Sequence, residues 1–154
     1  MNYTIDELIS VCIARQVRDG EVLAQGIILA KCTHAPNVRF ASAIGQSICE
    51  TWAPLGVGHI EDQWLGKALI HVGFAAAAAD LLPNYNPKEF FRPAQVDARG
   101  NFNNIAFGKD YARPRFRLPG SGGIPDVTTY SNHVYLYVPR HSRVTFVQEV
   151  DFVS

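Results

Sequence analysis

A capping box opens the chain. In Thr4-Ile5-Asp6-Glu7 the threonine hydroxyl satisfies an orphan N–H of a first helical turn, while the glutamate reaches back to the cap. Behind it Ile5, Leu8, Ile9, Cys12, Ile13 and Val17 recur at helical period, broken only by Gln16, and Gly20 supplies a left-handed stop. An amphipathic helix of this kind packs its stripe on something, and the next segments read partly as sheet. Glu21 to Ala24 is expected as a short strand and Ile27 to Cys32 as a scrap of helix. Val38 to Ile44 is expected as a second strand, entered through the extended Ala35-Pro36 pair. The alternation of helix and strand is an α/β rhythm.

Further along, Ala68 to Val72 is expected as a strand. The run Ala75 to Ala79, leading through Asp80-Leu81-Leu82, is expected as a helix that Pro83 ends, and its small side chains permit close backbone approach. Phe90 to Val96 is expected as a strand that tolerates Pro93 only at an edge or bulge, followed by a turn at Asp97-Ala98-Arg99-Gly100. Val134 to Val138 and Val144 to Val153, β-branched and aromatic, are expected to pair across Pro139-Arg140-His141-Ser142. A length of 154 residues at 47% hydrophobic suits one buried core, hence one domain over residues 1–154 with a β-rich second half.

Charge narrows the function classes. Fourteen Lys and Arg balance fourteen Asp and Glu, which excludes a polybasic membrane anchor and a duplex-DNA binder that works by neutralising phosphates. Neither nucleic acid nor membrane is therefore expected as a partner. The longest mainly apolar stretch, Ala68 to Leu82, is interrupted by His71 and Asp80 and falls short of the ~20 residues that span a bilayer. The first residues carry no basic and apolar leader pattern, which points to the cytoplasm. Cys12, Cys32 and Cys49 form no Cys-x-x-Cys pair and read as small buried thiols in a reducing compartment. His34, His59, His71, His133 and His141 are scattered without ligand spacing, so no metal site is expected. A Gly-x-Ser-x-Gly elbow and a Gly-x-Gly-x-x-Gly fingerprint are both missing.

The strongest local feature is Gly120-Ser121-Gly122-Gly123. Three glycines in four positions allow positive φ and let backbone N–H groups converge on one oxygen, so these residues are candidate oxyanion-stabilising groups. A simple flexible turn has the same composition. Ile124-Pro125-Asp126-Val127 is expected to open a short helix just after it. Upstream lie Gln95, Asn101, Asn103 and Asn104, uncharged donors and acceptors suited to an amide-rich ligand or a thioester. The asparagines could equally form an Asx-turn network that braces the loop. Arg113, Arg115 and Arg117 alternate along a possible strand and would share one face, meeting phosphates or solvent.

Together, Gln95-Val96-Asp97, Gly100-Asn101, Asn103, Arg117 to Gly123 and Thr129-Tyr130-Ser131 resemble the β-type subunit of family I CoA-transferases, as do Tyr3-Thr4 to Ala14 and Val150 to Ser154. The resemblance implies a CoA-transferase-like α/β domain with a central, mostly parallel sheet flanked by helices. It also implies an α-type partner subunit in a heterodimer or heterotetramer, with coenzyme A present as part of an acyl-CoA substrate and no tightly bound cofactor. Gly120, Ser121, Gly122 and Gly123 then take the catalytic role, and Gln95, Asn101, Asn103 and Asn104 take substrate or CoA binding.

In that family a glutamate attacks the thioester, and counting from Ala35-Pro36-Asn37 places Ala43 at its position. Alanine has no carboxylate to act as nucleophile. The departure implies acyl-CoA hydrolysis or hydrolytic ring opening, with a catalytic glutamate on the partner. The alternatives are true CoA transfer, with the nucleophile on the partner or at Glu50, and a non-catalytic binding subunit. The family's Gly-x-Gly-x-Pro stretch is shortened here at Gly26-Ile27-Ile28, and the family continues past Ser154, so the chain reads as abridged at both places.

Overall fold

The computed structural model describes residues 2–24, 28–42, 47–49 and 66–154. Ala43, Glu50, Gly26 and Ile27 lie outside the described residues. The chain divides into two compact units: Met1–Phe90 with Tyr130–Tyr135, and Phe91–Thr129 with Leu136–Ser154.

In the first unit, α1 (Ile5–Ala14) starts on the expected capping box. Thr4 Oγ1 accepts from the Glu7 N–H at 3.2 Å, and Glu7 Oε2 accepts from the Thr4 N–H at 2.7 Å. The apolar stripe is not buried along its length, as the periodicity led us to expect. Ile5, Leu8 and Cys12 are exposed, Ile9 and Ile13 are half-buried, and Val17 is buried. Among the described residues the polar ties of this segment lie just past the C-terminal end of α1: the Gln16 carbonyl accepts from the Lys88 ammonium, and the Val17 carbonyl meets the His34 ring at 3.0 Å. Cys12 and Cys32 are exposed rather than buried. Cys12 lies on the open part of α1, and Cys32 lies in α2 (Ile28–Thr33).

Strand β1 (Val22–Leu23) pairs in parallel with β2 (Arg39–Ser42), and α2 provides the crossover that such a pair requires. Strands β3 (Ser47–Cys49) and β4 (Ala68–His71) complete a four-stranded sheet in the order β1-β2-β3-β4. Both of these added pairings are antiparallel, so the expected mostly parallel sheet is corrected for the described residues. For β2 and β3 the cause is connection length: only residues 43–46 separate them, too few for a parallel crossover. The α/β class itself holds.

A helical segment, α3, covers residues 74–85 and lies on this sheet through Ala77 and Leu81, which cluster with Ala41 and Ile48. Ala77 is fully buried, the close approach expected of the alanine run. Pro83 does not end the helix. Residues Ala77–Leu81 form a π-helical turn in which the Leu82 N–H bonds to the Ala77 carbonyl five residues back, and Leu82–Tyr85 returns to α geometry with Pro83 in its first turn. The wider turn accommodates a residue that lacks an N–H and crowds the carbonyl four positions earlier. The helix ends instead at Asn86, whose φ is 41°.

Lys88 ties this unit together. Its N–H donates to Val22 at 2.9 Å, its carbonyl accepts from Ala24 at 3.0 Å, and its buried ammonium meets Glu21 at 2.7 Å. Burial works against the Glu21 carboxylate, but the Arg18 N–H and the Lys88 ammonium outweigh it and hold its pKa below the ordinary value.

Strand β5 (Glu89–Phe91) pairs with β10 (Val134–Leu136). The expected pairing of Val134–Val138 with Val144–Val153 is therefore corrected. Residues 142–146 curl into a turn, with the Thr145 and Phe146 N–H groups both donating to the Ser142 carbonyl, and only Phe146 makes an isolated bridge, to Val96. Turn bonds to Ser142 thus take the N–H groups that a ladder would need.

In the second unit, Pro93 breaks the expected long strand into β5 and β6 (Gln95–Val96). Strand β6 forms a hairpin with β7 (Phe102–Asn103) across the expected turn, closed by the Gly100 N–H to the Asp97 carbonyl at 3.1 Å. Strands β8 (Ala106–Phe107) and β9 (Phe116–Arg117) form a second pair, and helix α4 (Ile124–Tyr130) comes after the glycine loop as expected. Val96, Phe102 and Ile124 form this unit's core, with Phe91 stacked on Phe102 at 5.6 Å.

Thr4→Ala removes one reciprocal cap and should cost about 1 kcal/mol in urea unfolding. A pH dependence is expected at Glu89, which is buried: no described residue hydrogen-bonds its carboxyl, and burial pushes its pKa up to about 7 from 4.5. The folded state therefore binds this proton more tightly than the unfolded chain, and stability falls as pH rises from about 4.5 to about 7. Unfolding curves at pH 5 and 8 should show the native chain losing up to about 3 kcal/mol more than Glu89→Gln over that interval. Identical losses would show that Glu89 does not titrate within the fold.

Candidate functional site

All eight candidate site residues belong to the second unit. Asp97 organises the hairpin turn: its Oδ1 accepts from the Arg99 N–H at 2.9 Å and the Asn101 N–H at 3.1 Å, and its Oδ2 accepts from the Asn101 amide at 3.0 Å. The Asn101 amide, against the opposing effect of burial, and the backbone N–H groups of Arg99, Asn101 and Val150 hold the Asp97 carboxyl below the usual range. Asn101 is thus half of an Asx-type brace.

Asn103 has no exposed surface. Its amide donates to Gln95 Oε1 and to the Ala106 carbonyl, each at 2.7 Å, and its oxygen accepts from the Ile105 N–H at 2.8 Å. Gln95 in turn accepts from the Asp151 N–H at 3.0 Å and donates to Asp151 Oδ2 at 3.2 Å, which also accepts from the Gly108 N–H at 2.8 Å. A buried amide held this way is costly to disturb, because each lost partner leaves a polar atom unsatisfied. Gln95 and Asn103 turn their polar atoms inward, to one another and to Asp151.

Asn104 joins three loops. Its N–H donates to Ser154 Oγ at 2.7 Å, its side-chain oxygen accepts from the Ala94 N–H at 3.1 Å, and its carbonyl accepts from the Gly120 N–H at 2.8 Å. The last bond fixes the start of the glycine loop. Gly120 has φ +103° and Gly122 φ +53°, the left-handed conformations expected of this run, and open space surrounds the position of a Cβ at each. The Ser121 carbonyl accepts from the Ile124 N–H at 3.0 Å, which joins the loop to α4. The N–H groups of Ser121, Gly122 and Gly123 have no partner among the described residues, whereas that of Gly120 is engaged.

Asn104 and Gly120 meet in a cavity of about 470 Å³, together with Arg92, Arg140, Ser142 and Thr145. Gln95 lies instead at a separate cavity with Arg115, Arg143, Glu149 and Asp151. Sequence reasoning missed Arg92, Arg140, Ser142 and Thr145. The only local signal at the two arginines is a neighbouring proline, in Arg92-Pro93 and Pro139-Arg140. The three alternating arginines do not form one basic face: Arg117 stacks on the Tyr111 ring at 4.1 Å, Arg115 approaches Asp151 at 3.8 Å, and Arg113 is exposed. Among the described residues no group of three or more His, Cys, Asp or Glu is arranged to hold a metal ion, and no helix is long and apolar enough to cross a membrane.

No family model matches the chain. Individual proteins do. It is 30% identical to the B subunit of 3-oxoadipate CoA-transferase from Pseudomonas knackmussii and 30% identical to the B subunit of glutaconate CoA-transferase from Acidaminococcus fermentans, each over 99% of this chain and 60% of the relative. The solved glutaconate coenzyme A-transferase of A. fermentans superimposes with a TM-score of 0.80, covering 99% of this chain and 62% of that one, at 27% identity. The decarboxylase AibA/AibB superimposes with a TM-score of 0.77 at 29% identity, covering 97% of this chain and 65% of that one. The chain spans about 60% of the length of the curated relatives it matches. In sequence along nearly its whole length, and in its α/β fold, this chain is similar to the CoA-transferase B subunits.

Proposed function

We propose that this chain is the β-type subunit of a two-subunit enzyme acting on an acyl-CoA, with the Gly120 to Gly123 loop supplying oxyanion stabilisation. The observation that carries the reading is the loop itself: three successive N–H groups without a partner among the described residues, those of Ser121, Gly122 and Gly123, anchored at one end by the Gly120–Asn104 bond and at the other by α4. Backbone donors of this kind stabilise charge that develops on a thioester carbonyl oxygen. The coenzyme A portion enters with the substrate and leaves with the product.

Within that frame we favour hydrolysis or hydrolytic carbon–carbon cleavage over transfer. Ala43 stands where the family's glutamate is expected, so this chain brings no carboxylate to form an acyl anhydride. A carboxylate on an α-type partner would instead take a proton from water. In hydrolysis the resulting hydroxide adds to the thioester carbonyl, the loop N–H groups hold the oxyanion, and the carbon–sulfur bond breaks as the thiol of CoA leaves with the proton. That AibA/AibB is named a decarboxylase supports chemistry other than transfer on this fold. Gln95, Asn101 and Asn103 serve here by holding the loops in place, and Asn104 by setting the start of the glycine loop. Transfer remains the second reading, because both curated relatives are named CoA-transferases.

The test is to co-express the chain with an α-type CoA-transferase subunit from the same organism and follow free thiol on a panel of acyl-CoA substrates, with and without a carboxylate acceptor. Thiol release without acceptor is the expected result for thioester hydrolysis, and an acyl-CoA product heavier by one water, seen by mass spectrometry without acceptor or thiol release, is the expected result for hydrolytic ring opening. Turnover only with acceptor, yielding a new acyl-CoA, would replace hydrolysis by transfer, and full activity of this chain alone would overturn the shared site. In the active complex Gly122→Val should lower kcat by about 10²-fold or more, because valine resists the left-handed φ and swings the N–H groups apart. Unchanged turnover in that variant would remove the loop from the mechanism.

A further inference from the structure

The two cavities of the second unit differ in how their charges are matched. In the cavity beside Gln95, Arg115 and Arg143 face Glu149 and Asp151, so cations and carboxylates are equal in number. In the cavity beside Asn104 and Gly120, Arg92 and Arg140 line the wall, and among the described residues no acidic residue does. Neither guanidinium has a hydrogen bond or ion pair among the described residues. The other polar groups there are neutral: Ser142 and Thr145, whose hydroxyls lie 3.1 Å apart, and Asn104, whose side-chain oxygen is engaged by Ala94, which leaves its NH₂ group as a donor.

Two guanidiniums unmatched among the described residues, in a concavity of about 470 Å³, create a positive potential that no described wall residue cancels. The volume lies within the range of small-molecule sites and exceeds what a lone monatomic ion would fill. Guanidinium forks match the paired oxygens of carboxylate and phosphate, and hydroxyl and amide donors add hydrogen bonds to the same oxygens. Both arginines sit next to proline, whose fixed φ limits the freedom of the loops that carry them.

We propose that this cavity is an anion subsite, in which Arg92 and Arg140 clamp a carboxylate- or phosphate-bearing small molecule and Asn104 donates from the side of the glycine loop. The subsite stands on the charge and shape of the cavity and needs neither the acyl-CoA reading nor a partner subunit. The two possible ligand sources, a carboxylic acid and a phosphoryl ester, share the same oxygen geometry.

Binding is measured by titration calorimetry on the purified chain with three probes: glutarate, inorganic pyrophosphate, and uncharged glutaramide as the control. Glutarate, pyrophosphate or both should bind below roughly 10 mM, glutaramide should not, and added salt should weaken the binding. Glutarate alone assigns the subsite to a carboxylate, pyrophosphate alone to a phosphoryl group, and both to oxyanions in general. Arg92→Gln and Arg140→Gln should each weaken the binding about tenfold or more, with the Lys variants intermediate, because lysine keeps the charge and loses the fork. Arg99→Gln, on the hairpin turn outside the cavity, should leave it unchanged. Both cavity arginines are exposed, and an unaltered unfolding midpoint separates lost binding from lost folding. Absence of binding by both anions overturns the proposal, as does equal binding of glutaramide. Binding that either Gln variant leaves unmoved overturns the clamp.

Discussion

The candidate site rests on the buried amide of Asn103. It is the point at which the β6–β7 hairpin, the loop entering β8 and the C-terminal segment are held to one another, through Gln95, Ala106 and Asp151. Low dielectric strengthens each of these bonds and makes an unmatched one costly, so the network favours a single arrangement of the three segments. Asn104 comes directly after it in sequence and inherits that fixed position. From there it sets Ala94, Gly120 and Ser154 by one hydrogen bond each. The glycine loop is flexible in composition but pinned at its first residue by a neighbour that cannot move.

This arrangement separates two roles that similar residues can play. Gln95, Asn101 and Asn103 turn their polar atoms toward Asp97, Asp151 and the backbone, and so resemble the framework of a site more than its working surface. Arg92 and Arg140 do the reverse, lining an open concavity with no counter-charge among the described residues. The unit thus keeps its matched polar atoms in the interior and its unmatched ones at an opening, a distribution expected of a scaffold that presents groups to a ligand.

How much of this was legible in the sequence depends on the range over which each feature is determined. The capping box at Thr4, the turn at Asp97 to Gly100, the helix after Gly123 and the strands at Val22, Arg39 and Ala68 are set within a few residues, and local pattern located them. The pairing of Val134–Leu136 with Glu89–Phe91 is a contact across more than forty residues, and β-branched composition states only that a strand wants a partner. The glycine loop was readable because positive φ has a compositional signature. The arginine cavity was not, since its two cations are far apart in sequence and only folding brings them to one wall. Whether an asparagine binds ligand or braces a turn was equally open, because the residue type suits both and only its hydrogen-bond partners tell them apart.

The π-helical turn in α3 bears on how the chain tolerates changes in length. A π turn is an α-helix carrying one residue more than its register needs. Residues 77–81 hold that surplus just before Pro83, and Ala77 and Leu81 still reach the sheet on the same face. Removing one alanine from the run would let the segment relax to plain α geometry without rotating the flanking turns, but would bring the Pro83 ring against the carbonyl four residues back. The extra alanine and the proline therefore form a compensating pair. Either change alone disturbs the helix, whereas a chain lacking both could keep the same packing one residue shorter.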